Sequence, residues 1–119
     1  MVASAPRFVY KIASRAVFDA SRAAGRFTGM PVDHVDGYVH FSTAEQLAET
    51  LRLHFAGQGD LVLFAVPAAP LGEALRWEPS RGGQLFPHLY GDFPMHLVGE
   101  HMVFSVGADG SFTLPDWVR

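Results

Sequence analysis

His40 lies in the run Gly37-Tyr38-Val39-His40-Phe41-Ser42-Thr43. Side chains alternate along a strand, so Tyr38 and His40 share one face if this run is extended. Ser42 and Thr43 follow at a helix start. Free backbone N–H groups and the positive end of the helix dipole favour an anion such as phosphate there. An imidazole beside two hydroxyls suits the holding of a sugar or a phosphate. The same residues have a plainer structural use, with Ser42 and Thr43 as caps and His40 as a hydrogen-bonded strand residue. Spacing alone favours that plainer use.

A second group is Phe86-Pro87-His88-Leu89-Tyr90-Gly91. Three rings in six positions, fixed by one Pro and one Gly, read as an aromatic loop. It can present His88 and Tyr90 to a flat ligand and stack Phe86 on it, or fold back to plug the core. Glu78 is a third candidate. A carboxylate beside Trp77 can have its pKa raised by desolvation and act as an acid or base; a surface Glu on an edge strand is the simpler alternative. His34, His40, His88, His96 and His101 show no ligand spacing, so no metal is expected. Gly57-Gln58-Gly59 lacks a following lysine-bearing phosphate loop, and no Gly-x-Ser-x-Gly elbow exists. Lys11, the chain's only lysine, points away from Tyr10 and Ile12 on its strand, toward a ligand or toward solvent.

Composition limits the rest. The 119 residues fit one domain, 1–119, with 1–6 as a loose leader. Apolar residues make up 49% and charged residues 18%, enough to fill a core. Nine Lys+Arg against twelve Asp+Glu give a net charge of −3, which makes nucleic acid a poor partner. The absence of cysteine excludes disulfides, thiolate nucleophiles and cysteine-held metal sites. No signal segment is recognisable, and the longest apolar stretch, Leu61–Ala69, falls far short of a membrane span. A cytoplasmic protein with a small-molecule ligand is expected.

The elements that must position these residues follow from pattern. Phe8–Ile12 reads as a strand. Ser14 caps a helix over Arg15–Ala24 that Gly25 stops. Arg26–Gly37 reads as loop, and Tyr38–Phe41 as a short strand. Ser42 with Glu45 and Thr43 with Gln46 offer two overlapping capping boxes. The helix behind them places Ala44, Leu47, Ala48, Leu51 and Phe55 on one stripe, with Gly57 and Gly59 ending it. Leu61–Val66 reads as a strand covered on both faces. Leu75–Glu78 alternates weakly. Leu97–Val106 and Ser111–Leu114 flank a hairpin signal at Ala108-Asp109-Gly110. Helices early and strands late predict an α+β fold.

Together the motifs resemble a family of small bacterial proteins, the domain of unknown function numbered 952. The likeness rests on Val9-Tyr10-Lys11-Ile12, the Gly37–Thr43 block with Gln46, Leu61-Val62-Leu63, Trp77-Glu78, Phe86–Gly91, Asp109-Gly110-Ser111-Phe112 and Leu114-Pro115. That family in turn resembles a compact ADP-ribosyltransferase fold: a split pair of small, mostly antiparallel sheets with flanking helices and NAD bound between them. The resemblance implies that His40 takes the second position of the ligand triad and Glu78 the third, acidic one. Lys11 stands where a ligand histidine is usual. The catalytic pair implied is His40 and Glu78. Tyr10, Lys11, Tyr38, Ser42, Thr43, Phe86, His88 and Tyr90 are implied as ligand contacts, and NAD as the cofactor. A non-catalytic small-ligand module on the same fold is the alternative. RNA 2′-phosphotransferases carry a similar strand at the position of His40, which makes an RNA-end activity a third reading, with Arg15, Arg22 and Arg26 as a local basic face.

Overall fold

Ser14 ends the first strand and begins the first helix. In the computed structural model, which describes residues 6–119, β1 (Phe8–Ser14) runs straight into α1 (Arg15–Ala24). The Ser14 side chain accepts from the Val17 N–H, and Gly25 closes the helix at φ +83°, a conformation that costs glycine little. Of the leader expected over 1–6, only Pro6 lies within the described residues, exposed and without regular structure. The chain continues through β2 (Arg26–Phe27), α2 (Pro31–Asp36), β3 (Val39–His40), α3 (Ala44–His54) and β4 (Leu61–Pro67). It ends through β5 (Leu75–Pro79), β6 (Leu85–Leu89), β7 (Phe93–Pro94) and β8 (His101–Phe104). This is a mixed α+β chain of small antiparallel sheets with a few helices.

Strand order is β1-β4-β8 in one sheet and β3-β6-β5 in another, with β2 and β7 forming a separate pair. The two larger sheets meet where Tyr10 and Ser42 exchange backbone hydrogen bonds of 2.9 Å in both directions. β4 is the central strand expected from its unbroken apolar run. Val62, Phe64 and Val66 enter one cluster with Phe18 of α1, while Leu61, Leu63 and Ala65 enter another with Leu47 and Leu51 of α3. Val39, Phe41, Leu75 and Leu89 bring the back of the β3-β6-β5 sheet into the first cluster. Among the described residues, no helix is long and apolar enough to cross a membrane.

Four expectations need correction. Arg26–Gly37 is not all loop: it holds β2 and α2, a helix with Pro31 in its first turn and Gly37 ending it at φ +87°. Phe86–Leu89 is not a loop but most of β6, the middle strand of its sheet. Of the two capping boxes only Thr43 with Gln46 forms; Ser42 Oγ meets Thr50 Oγ1 at 3.0 Å instead. Finally, Gly107–Ser111 makes the turn, with the Gly107 N–H donating to the Ser111 carbonyl, but no strand follows β8.

Candidate functional site

Register builds one polar face. In the β3-β6-β5 sheet, His40 lies directly opposite His88, and His88 lies opposite Arg76. Because side chains alternate, the face that carries His40 also carries Tyr38, Phe86, His88, Tyr90, Arg76 and Glu78, while Val39, Leu89 and Leu75 turn to the core. Tyr38 packs among these rings: its centroid is 4.1 Å from His88, nearly parallel, 4.6 Å from His40 and 5.3 Å from Tyr90. The centroids of His40 and His88 are 5.6 Å apart.

Each histidine is held through Nδ1 by a carboxylate. His88 Nδ1 lies 2.8 Å from Glu78 Oε1, and the Tyr90 hydroxyl donates to the same oxygen at 2.8 Å. The hydrogen bonds from His88 and Tyr90 hold the Glu78 carboxyl below its ordinary value, contrary to the raised value that its neighbour Trp77 suggests. Among the described residues His88 Nε2 has no hydrogen-bond partner, and it is not sealed from solvent. His40 is held more tightly, with Nδ1 2.6 Å from Asp33 and Nε2 2.9 Å from Asp36.

Asp33 anchors this side of the site. It is 2% exposed and accepts from Lys11 Nζ, His40 Nδ1, the His40 N–H and the Met30 N–H. Burial pushes its carboxyl up. The hydrogen bond from His40, the Lys11 ammonium and the Met30 N–H outweigh burial and hold it at about 2. Burial pushes the Lys11 ammonium down, against the pull of Asp33. Lys11 is thus neither free nor solvated, although its side chain does point opposite to Tyr10 and Ile12.

A cleft of about 530 Å³ opens at the seam between the sheets. Of the residues expected to contact a ligand, Tyr10, Lys11, Tyr38, His40, Ser42, Phe86 and His88 line it. Three expected residues do not. Thr43 caps α3 through Gln46, whose Nε2 in turn holds the Leu85 carbonyl. That closes the helix start proposed for an anion. Glu78 and Tyr90 stand behind His88. The Tyr10 hydroxyl is bound to the backbone of Arg119. Asp33, Asp36, Thr50 and Arg81 escaped the sequence reading. Pro31, Asp33 and Gly37 do carry start and stop signals for a short helix, and Asp36 and His40 are four apart.

Arg15, Arg22 and Arg26 do not share one helix face, since Gly25 ends α1 before Arg26. Arg15 pairs with Asp19 and Asp60, Arg26 with Asp92, and Arg22 covers the Phe18 ring. Among the described residues no group of three or more His, Asp or Glu is arranged to hold a metal ion.

Fold and cleft define a small α+β protein with a histidine-lined pocket between two antiparallel sheets. The chain belongs to the family described as "Protein of unknown function (DUF952)", whose model matches residues 12–101. It is similar to protein CC0527 from Caulobacter crescentus. The crystal structure of that protein is 50% identical, covers 87% of this chain and 90% of its own, and superposes with a TM-score of 0.82. Its solution NMR structure, at the same identity and coverage, gives a TM-score of 0.76. No curated protein matches the chain.

Proposed function

We propose that the cleft binds a nucleotide of the NAD type and that the chain is a compact ADP-ribosyltransferase-like domain. The observation that carries this reading is the opposed pair His40 and His88 beside the Tyr38 ring, at a cleft lined from both sheets. Its volume lies in the range of small-molecule and cofactor sites. In this reading the base lies against the aromatic wall and His88 Nε2 meets a ribose hydroxyl. Glu78 is a positioning residue: it fixes the His88 ring through Nδ1. Transfer would break the bond between the ribose anomeric carbon and nicotinamide, which leaves as the neutral base with the bonding pair, while an acceptor hydroxyl or water bonds to that carbon and releases its proton to solvent. The carboxylate behind His88 would then balance positive charge developing on the sugar.

A second reading, a binding module without turnover, has its own support. Glu78 is already engaged by His88 and Tyr90, and Lys11 by Asp33, so neither group is free for chemistry. Titration calorimetry with millimolar NAD, paired with mass spectrometry for released nicotinamide, separates the two. The expected result is binding that His88→Ala abolishes. Binding without nicotinamide release selects the module. No heat at millimolar NAD, in a folded protein, overturns the nucleotide reading.

A further inference from the structure

Among the described residues only two cations, Lys11 and Arg81, line the cleft. Lys11 is neutralised by Asp33. Arg81 has no carboxylate partner, although most other cations of the chain are paired or turned elsewhere. Arg15, Arg26 and Arg52 sit in ion pairs, Arg7 lies over the ring of its neighbour Phe8, and Arg22 over the Phe18 ring of its own helix. Glu49, the acidic neighbour on α3 whose charge Arg81 feels, is hydrogen-bonded to Arg52.

The Arg81 guanidinium is half-buried and held in place. It lies 4.8 Å above the Phe86 ring and donates to Thr50 Oγ1 at 3.4 Å, and Thr50 is bonded to Ser42 Oγ. Ser80, next to Arg81 in the chain, and His54, one turn beyond Thr50 on α3, also line the cleft. A guanidinium with no ion-pair partner, lying over an aromatic ring with hydroxyls around it, matches a phosphate: the fork can give two parallel donors and the hydroxyls complete the shell. Phe86 precedes His88 by two residues on β6, roughly 7 Å along the strand. That is about the reach from a ribose hydroxyl to the phosphate on its own 5′ carbon.

We propose that the Arg81 end of the cleft is a phosphate subsite, so that the ligand is a phosphorylated nucleoside and not a free nucleoside or a neutral molecule. This rests on the nucleotide reading for the nucleoside part alone. Calorimetric titration with adenosine, adenosine 5′-monophosphate, NAD and inorganic pyrophosphate tests it in the wild type, Arg81→Ala, Arg81→Lys and Arg22→Ala. Arg81→Ala is expected to weaken the monophosphate and pyrophosphate by at least about tenfold, the worth of one charge-assisted hydrogen bond. Adenosine should be unchanged. Arg81→Lys should fall between, since it keeps the charge and loses the fork. Arg22→Ala, whose guanidinium lies over the Phe18 ring of α1 and does not line the cleft, should bind as the wild type does.

Equal weakening of adenosine and its monophosphate, or no weakening of either, overturns the subsite. Pyrophosphate bound in an Arg81-dependent way, with no adenosine compound bound, keeps the subsite and removes the nucleotide reading. Nucleotides bound independently of Arg81 do the reverse. If no probe binds, both fall.

Discussion

Four donors converge on the two oxygens of Asp33 from three parts of the site: Lys11 on β1, Met30 before α2, and the backbone and ring of His40 on β3. One buried carboxylate therefore fixes the distance between β1, α2 and β3. Its removal has two separable consequences. Asp33→Asn leaves Lys11 buried opposite an uncharged amide, and breaking a buried pair in this way costs about 3–5 kcal/mol. Lys11→Met should cost less, because the carboxylate keeps His40 and two backbone donors. Urea unfolding of both variants checks the order, and equal losses would contradict it. The same carboxyl gives a pH dependence. Its folded value, about 2, lies below the ordinary 3.8, so its contribution is complete above about pH 4. It is lost as pH falls from there through 2, and amounts to roughly 2 kcal/mol. Urea midpoints of the wild type should fall across that window, and those of Asp33→Asn should fall less.

The elements explain which parts of the site were legible. Tyr38 and His40 were placed on one face because alternation along a strand needs no tertiary information. In sequence β6 looks like a loop, because Pro87 and the ring density resemble turn chemistry and a proline argues against a central strand. The structure accommodates it locally. The Pro87 carbonyl accepts from the Phe41 N–H at 3.0 Å, and the ladder with β3 stops at His40, so the missing donor falls where pairing ends. α2 is hard to see in sequence because six residues with Val32 and Val35 exposed show no apolar stripe, although its Pro, Asp and Gly signals stand there. Asp33 and Asp36 are hidden with it. α3 was legible through Thr43 and Gln46, whose reciprocal bonds close the helix start. Thr43→Ala should therefore cost about 1 kcal/mol of stability. It should leave ligand affinity unchanged, since Thr43 faces the helix and not the cleft. Thermal melts with calorimetry on the same variant check both halves, and a fall in affinity at intact stability would return Thr43 to the binding face.

At the scale of the molecule, the cleft sits on a short backbone join. β1 and β4 pair over seven residues, whereas among the described residues the backbone ties β1 to the segment just after β3 through one bridge, Tyr10 with Ser42. A ligand that contacts Arg81, His88 and the β1 side at once bridges two sheets that the backbone ties at one point. Binding to the folded state alone raises stability by RT ln(1 + [L]/Kd), about 2.7 kcal/mol at a hundredfold excess over Kd. A phosphorylated nucleoside at that excess should raise the melting temperature by several degrees for a domain of this size. His88→Ala should remove the shift, and so should His40→Ala, since His40 shapes the wall that Tyr38 and His88 share. The overall charge of −3 opposes an anionic ligand at long range, while Arg81 attracts it at short range. Added salt therefore acts in two directions: it relieves the general repulsion and screens the local pair. The half-buried pair is screened less than the exposed surface charges, so the temperature shift should fall only modestly between low and physiological salt. Melts in the presence of adenosine 5′-monophosphate across that range measure it. A shift that vanishes at physiological salt would place the phosphate on the exposed surface and not at the Arg81 end of the seam.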